Sequence, residues 1–382
     1  MGIPGLSSLV ESEPTLYFKS VKLHDTLLVI DGNCVSCWLY RLHCNKPCFN
    51  GDYKDFENCV EAFFTRLKKC NIFPIVILDG AHEARKLRTV KERMEDRILK
   101  AGRIKSTKGK GDMLTPVLLV DVFKSTLSRM NVLFCQSILE ADVDISKAAE
   151  FFECPILSFD SDFYLDDVDY IPFSTLKQET CELTDCERSN IGSKYFIYGK
   201  LFDRTNFFAK FGGLRNYHFL PLLSFLLGND YSDPKNYEAF FQRLSAQKSQ
   251  LKLQQKLSVL CKWFRTTWSL EDAVNKFLEQ IRPELEKKTR KELDRCIVEK
   301  NVCKSSYTVQ YLQHRLLTTP GIPIPPSMRE DSLVLTSECS KWMDEATSFC
   351  SSNVFYSATH AKMKIPEWML AQYIQGPFVN AV

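Results

Sequence analysis

The sequence contains no apolar run of the roughly 18–20 residues that a membrane-spanning helix requires. Its opening hexapeptide, MGIPGL, lacks the basic residues and unbroken apolar stretch of a secretory signal. Leu6 also stands where a myristoylation signal carries Ser or Thr. The targeting readings fail, and the two glycines and proline of this hexapeptide need another explanation. Histidine is scarce, with six residues in 382, and no HxxxH or HExxH spacing occurs, which argues against a zinc hydrolase. There is no GxxxxGK[ST] and no GxSxG, so neither a P-loop nor a serine nucleophile elbow is encoded. From Asn229 to Pro320 there is no glycine at all, and no internal repeat is visible.

Cysteine is plentiful, at fifteen residues, but scattered. Without a secretory signal these are expected as free, mostly buried thiols in a reducing compartment. Cys34-x-x-Cys37 and Cys44-x-x-x-Cys48 match no common zinc module, and the first pair falls inside an expected helix. The net charge is only +3, yet between Ala81 and Lys110 eleven Lys or Arg face four Asp or Glu. Such a segment is either a solvated helix face or a local basic field that attracts phosphate.

Four short apolar runs, Thr26–Asp31, Pro74–Gly80, Asn131–Gln136 and Pro155–Asp160, read as buried parallel strands. Helical patterns over Lys54–Cys70, Glu83–Arg103, Pro116–Met130 and Ala141–Phe152 separate them. The alternation predicts an α/β fold with a central parallel sheet flanked by helices. After Phe173 the pattern turns mostly helical, with a buried helix over Phe219–Asp230 and amphipathic helices over Ser249–Lys300. Thr318–Met328 is too rich in proline for a helix, and a short tail carrying Trp368 and Phe378 follows. The expected organisation is a domain over 1–235, a helical region over 236–317, and a connection and tail over 318–382.

The acids fall at element ends. Asp31 closes the first strand, Asp79 the second, and Asp160 with Asp162 the fourth. Glu140 and Asp142 open a helix after the third strand, and Asp230 follows the buried helix. Each acid alone has an ordinary structural role as a turn residue or helix cap. Capping does not account for acids at the ends of three apolar strands, where open α/β sheets bind their ligands. Carboxylates converging in one crevice repel unless cations neutralise them. All-oxygen ligation suits Mg²⁺ or Mn²⁺. An acidic metal site beside a basic helix points to phosphodiester hydrolysis, with two ions acting on the attacking and leaving oxygens.

MGIPGL, VIDG, ILDG, LEADVD, SFDSDF and GNDY, in this order over Met1–Tyr231, resemble the signature of the XPG-like flap endonuclease family, and within it the asteroid branch. The resemblance implies a PIN-like nuclease fold and a metal-dependent, structure-specific DNA endonuclease. It implies one metal held by Asp31, Asp79, Glu140 and Asp142, and a second completed by Asp160, Asp162 and Asp230. Asp144, one turn beyond Glu140, is either an extra ligand or an exposed helix residue. The family's phosphate-contacting Lys and Arg lie seven and fourteen residues after the second-strand Asp, which gives Lys86 and Arg93 on an arch-like segment over 83–112. Lys86, Arg93, Arg97 and Lys100 share a helical stripe beside Leu87, Val90, Met94 and Ile98, so the helix is expected to dock and present charge together. The family also removes the initiator Met, which makes Gly2 part of the nucleic-acid interface.

Two positions depart from the family. Its Gly-x-Gly helical hairpin after G-x-D-Y is missing, so duplex grip should weaken in favour of single strands or overhangs. Its aromatic stacker falls at Cys37, with Trp38 one place later, and one residue turns a helical side chain by about 100°. Trp38 is therefore open to two readings, a base stacker or buried core. The expected partner is DNA, with a repair protein as a further candidate, no membrane, and a monomeric, nuclear chain. The alternative function is an inactive nuclease-fold scaffold that binds DNA or a protein.

Overall fold

A computed structural model describes residues 3–43, 51–81, 87–103, 114–184, 192–229, 232–246, 250–301 and 307–318. The elements begin with α1 (Leu6–Glu11), α2 (Pro14–Tyr17), β1 (Phe18–Leu23), β2 (Thr26–Asp31), α3 (Gly32–His43), α4 (Tyr53–Lys69) and β3 (Ile72–Leu78). Next come α5 (Leu87–Arg103), α6 (Leu119–Arg129), β4 (Leu133–Gln136), α7 (Asp142–Phe151), β5 (Ile156–Ser158), β6 (Tyr170–Pro172), β7 (Thr180–Glu182) and β8 (Tyr195–Phe202). The rest is helical: α8 (Arg204–Lys210), α9 (Leu220–Leu227), α10 (Glu238–Ser245), α11 (Leu253–Phe264), α12 (Leu270–Leu278), α13 (Pro283–Asn301) and α14 (Tyr307–Thr318). The chain is α/β, and it divides into two compact units.

One unit comprises 24–153, 184–195 and the chain from 305 onward. Its strands run parallel in the order β4-β3-β2, with Asp31 in register with Ile77. Leu28, Val29 and Ile30 on β2 and Ile75, Val76 and Ile77 on β3 are fully buried, which is why these strands read as unbroken apolar runs. Helix α4 buries Phe56, Val60, Phe63, Phe64 and Leu67 at helical spacing, and Asp52 caps it by accepting from the Asp55 amide. Phe64 meets Phe123 of α6 at 6.1 Å between ring centres, and burial of two such rings stabilises the unit by about 1.5–3 kcal/mol each. Helix α14 packs on α7 and β4.

The other unit comprises 1–23, 154–183 and 196–304. Here β5 pairs with β6 in parallel, and a second sheet has the order β1-β8-β7 with β1 antiparallel to β8. The sequence pattern missed β1 and β8: β1 buries only Leu23, and the apolar start of β8 is interrupted by Gly199 and Lys200. Rings fill the space beside this sheet: Tyr17 meets Phe207 at 5.3 Å, Phe202 meets Phe207 at 5.5 Å and Tyr164 meets Phe202 at 4.7 Å. The expected helix at Phe219 starts one residue later as α9, and all eight of its residues are buried. A 3-10 turn over Pro234–Tyr237 leads directly into α10, so helices follow where the family carries its glycine hairpin. Among the described residues no helix is long and apolar enough to cross a membrane.

Asp203 ties the start of α8 to β1. It accepts from the Asn206 amide at 3.1 Å and pairs with Lys19 at 2.7 Å. Burial alone would raise this carboxyl, but the Lys19 hydrogen bond and the backbone amides outweigh it and hold the group below its usual value. A carboxyl lowered in the folded state adds stability that is present above the unfolded value near 3.9 and is lost as pH falls through the folded value. Thermal melts from pH 6 down to pH 3 should therefore show a steeper acid loss for the wild type than for Asp203→Asn.

Candidate active site

Parallel pairing puts the carboxyl ends of β2, β3 and β4 at one edge, and the acids of this unit arrive there. Asp31 is the last residue of β2, is 5% exposed, and accepts from the Cys34 amide at 3.0 Å, which starts α3. Asp79 directly follows β3, and three neighbours hold it. Its amide donates to Asn33 Oδ1 at 3.0 Å, its carbonyl accepts from Gln136 Nε2 at 2.8 Å, and its Oδ1 accepts from the Ala141 amide at 2.9 Å. That last bond fixes the start of α7 between Glu140 and Asp142, both half-buried. Asn33 and Gln136 were not singled out from the sequence, although Asn33 immediately follows the first Asp-Gly.

Each Asp-Gly pair has a steric reason. A Cβ on Gly32 would stand 2.6 Å from Leu78 and 2.8 Å from Val76, side chains of the neighbouring strand. A Cβ on Gly80 would fall 1.8 Å from the Ser137 carbonyl oxygen. Gly80 instead donates to Leu139 at 2.7 Å and Ala81 to Ile138 at 3.0 Å, so the post-β3 chain zips onto the post-β4 chain. The acids of β3 and α7 are carried by backbone in direct contact.

The helix expected to cover this edge behaves differently from its expectation. Residues 91–102 of α5 are exposed throughout, and Leu87, Met94 and Ile98 are 58%, 60% and 69% exposed. Of the expected apolar stripe only Val90 is half-buried, and the rest is uncovered. A run rich in Lys, Arg, Glu and Met forms a helix on propensity, with the Lys91–Glu95 pair on its surface. Arg93, Arg97 and Lys100 are all exposed. Arg97 nevertheless acts on α3: burial pushes the Cys37 thiol up, while Arg41 and Arg97 oppose the shift and Asp31 adds to it. The positive charge of α5 and the Asp31 carboxylate thus act on the same side chain. Trp38, beside it, is half-buried, neither core nor open platform.

In the other unit, Asp160 follows β5 and accepts from the Asp162 amide at 3.0 Å, capping the 3-10 turn over Ser161–Leu165. Asp162 Oδ1 accepts from the Ile3 amide at 3.2 Å. Ile3 and Leu6 are 2% and 0% exposed. Ile3 and Leu6 are therefore anchored in the core, and Ile3 is bonded to one of the acids. Gly2, Lys86, Asp230 and the segments 104–113 and 319–382 lie outside the described residues. Asp144 accepts from Thr308 Oγ1 at 2.7 Å, so this acid joins α7 to α14. Among the described residues no group of three or more His, Cys, Asp or Glu is arranged as a metal cluster. A cavity of about 270 Å³ lined by Lys68, Ile72, Asn131 and Leu133 opens at the amino ends of β3 and β4, away from the acids.

Comparison with known proteins gives the site a context. No family model matches the chain. Over 328 residues it is 32% identical to Protein asteroid of Drosophila melanogaster, covering 74% of this chain and 38% of that protein. This chain is a homologue of the asteroid proteins. It is also 33% identical over 312 residues to the human Single-strand DNA endonuclease ASTE1, covering 78% of this chain and 44% of the human one. The mouse protein of the same name is 35% identical over 254 residues. The chain thus spans less than half the length of these relatives. Among solved structures it is similar to the catalytic core of Rad2 in complex with DNA substrate, at a TM-score of 0.42 and 15% identity over 78% of this chain and 86% of that one. Human GEN1 in complex with Holliday junction DNA gives 0.43 and 12% identity over 82% and 72%.

The tight approach at Gly80 is directly testable. Gly80→Ala forces Cβ into the Ser137 carbonyl, so the 137–139 segment has to move and carries Glu140 and Asp142 with it. The variant should lose about 1–3 kcal/mol in a denaturant titration, the cost of overpacking. A variant as stable as the wild type would show that this contact does not set the edge.

Proposed function

We propose that this chain is the nuclease portion of a DNA endonuclease that favours single-stranded or overhanging DNA. The observation that carries the reading is that Asp79, directly after β3, is bonded to the Ala141 amide between Glu140 and Asp142, with Asp31 ending the neighbouring parallel strand β2. The names of the human and mouse relatives support the substrate class. The donor set is all oxygen, which suits Mg²⁺ or Mn²⁺. Asp31, Asp79, Glu140 and Asp142 would hold one ion, and Asp160, Asp162 and Asp230 a second. Bound there, such ions lower the pKa of an attacking water and offset charge on the leaving oxygen. Arg93, Arg97 and Lys100, with Lys86, supply positive charge for the phosphate backbone. The Ile3 amide is bonded to Asp162, and the preceding Gly2 would allow close approach of a strand.

The test is cleavage of labelled single-stranded, 5′-flap, 3′-overhang and blunt duplex DNA, with Mg²⁺, with Mn²⁺ and with chelator. Metal-dependent cutting should fall by at least about a thousandfold in Asp160→Ala/Asp162→Ala, in line with losing the groups that stabilise a transition state. Undiminished cutting by that variant would contradict the reading. No cutting by the wild type, with DNA still bound, would assign the chain to the scaffold alternative.

A further inference from the structure

Trp268 is 86% exposed, and its neighbourhood holds it that way. It lies in the turn between α11 and α12, and its amide donates to Asp272 Oδ2 at 2.9 Å. Ser269 caps α12 by accepting from the Asp272 amide at 3.1 Å. The preceding Thr267 is buried, with its hydroxyl on the Phe264 carbonyl at 2.8 Å. The backbone on both sides of the indole is therefore held by hydrogen bonds, which keeps the ring's point of attachment at the surface and lowers the ordering cost of binding.

Exposed cations lie on the helix end that precedes the ring. Lys262 and Arg265 on the end of α11 are exposed, and the Arg265 guanidinium lies over the Gly212–Gly213 turn, 3.5 Å from where a Gly213 side chain would begin. Phe219 stacks on Phe264 at 4.7 Å, which seats the segment after that turn, with exposed Arg215, against the same end of α11. Glu271 is the exposed acid nearest in sequence, and the charge of Asp272 is offset by Lys276 at 2.8 Å. Leu16 and Tyr198, the other large apolar side chains exposed among the described residues of this unit, belong to α2 and β8. A protein-docking face would be a contiguous apolar patch. A single exposed aromatic with cations on the adjoining helix end is an arrangement that takes unpaired bases by stacking and their phosphates by charge.

We infer that Trp268, with Arg265 and Lys262, is a stacking site for the bases of single-stranded nucleic acid, separate from the carboxylates. The inference deepens the proposed function and rests on it for its substrate. It gives a physical source for a single-strand preference in a chain lacking the family's glycine hairpin. Base faces are open in a single strand and covered in a duplex, so this contact discriminates between them.

The experiment is fluorescence anisotropy of the full chain, in chelator, with labelled oligo-dT of about 20 nucleotides and with a duplex of equal length. Trp268→Ala should weaken oligo-dT binding by about fivefold or more and leave duplex binding unchanged, while Trp268→Phe, which keeps an aromatic face, should retain most of it. Arg265→Ala should weaken binding and lower the salt slope by about one. Oligo-dT binding by Trp268→Ala within about twofold of wild type, or equal losses on both probes, would overturn the inference. So would a self-association seen by sedimentation velocity that Trp268→Ala abolishes while DNA binding stays intact. Failure of the nuclease reading has a different appearance: no metal-dependent cutting, with oligo-dT binding and its Trp268 dependence preserved.

Discussion

The carboxylate edge depends on one close approach, that of the Asp79–Gly80 backbone to residues 137–141. Two backbone hydrogen bonds and the Ala141 amide on Asp79 bind the chain leaving β3 to the chain leaving β4. Only a residue without Cβ fits there, since a side chain would enter the Ser137 carbonyl. Asn33 then closes the link to β2 through the Asp79 amide. Three strand ends are thereby fixed relative to one another by groups adjacent to the acids, so the acids are positioned by backbone and not by flexible side chains. That rigidity is what a site stabilising developing charge requires.

The same economy recurs in the second unit. Asp160 caps the turn that carries Asp162, and Asp162 accepts from Ile3 near the start of the chain. Ile3 and Leu6 are buried, and the Ile3 amide reaches that acid. Carboxylates that serve as caps and as acceptors of amides are held by fixed partial charges while they retain oxygen lone pairs for a cation. Capping and ligation are therefore compatible roles for Asp31, Asp79 and Asp160.

Most of the parallel framework was legible because burial on both faces leaves continuous apolar runs, as at Leu28–Ile30 and Ile75–Ile77. Asp-Gly at two strand ends marked both an acid and a close contact, although the contact partner, Ser137, carries no signal of its own. The partly exposed strands β1 and β8 were hidden because the first buries a single residue and the second is broken by Gly199 and Lys200. The exposure of α5 was equally hidden, since an amphipathic pattern states which face is apolar and not whether anything covers it. Asp144 shows the same limit: spacing put it near the ligand set, whereas its bond to Thr308 depends on a helix more than 160 residues away in sequence.

On the proposed function, the acids at the β2–β3–β4 edge would hold a hard divalent cation. Electron paramagnetic resonance of free Mn²⁺, titrated with the full chain and with Asp31→Asn/Asp79→Asn, addresses it without reference to any substrate. The account predicts that the wild type depletes the free Mn²⁺ signal and that the double variant, isosteric and uncharged at both positions, loses at least one bound ion. Equal depletion by the two proteins, or none by the wild type, would contradict it.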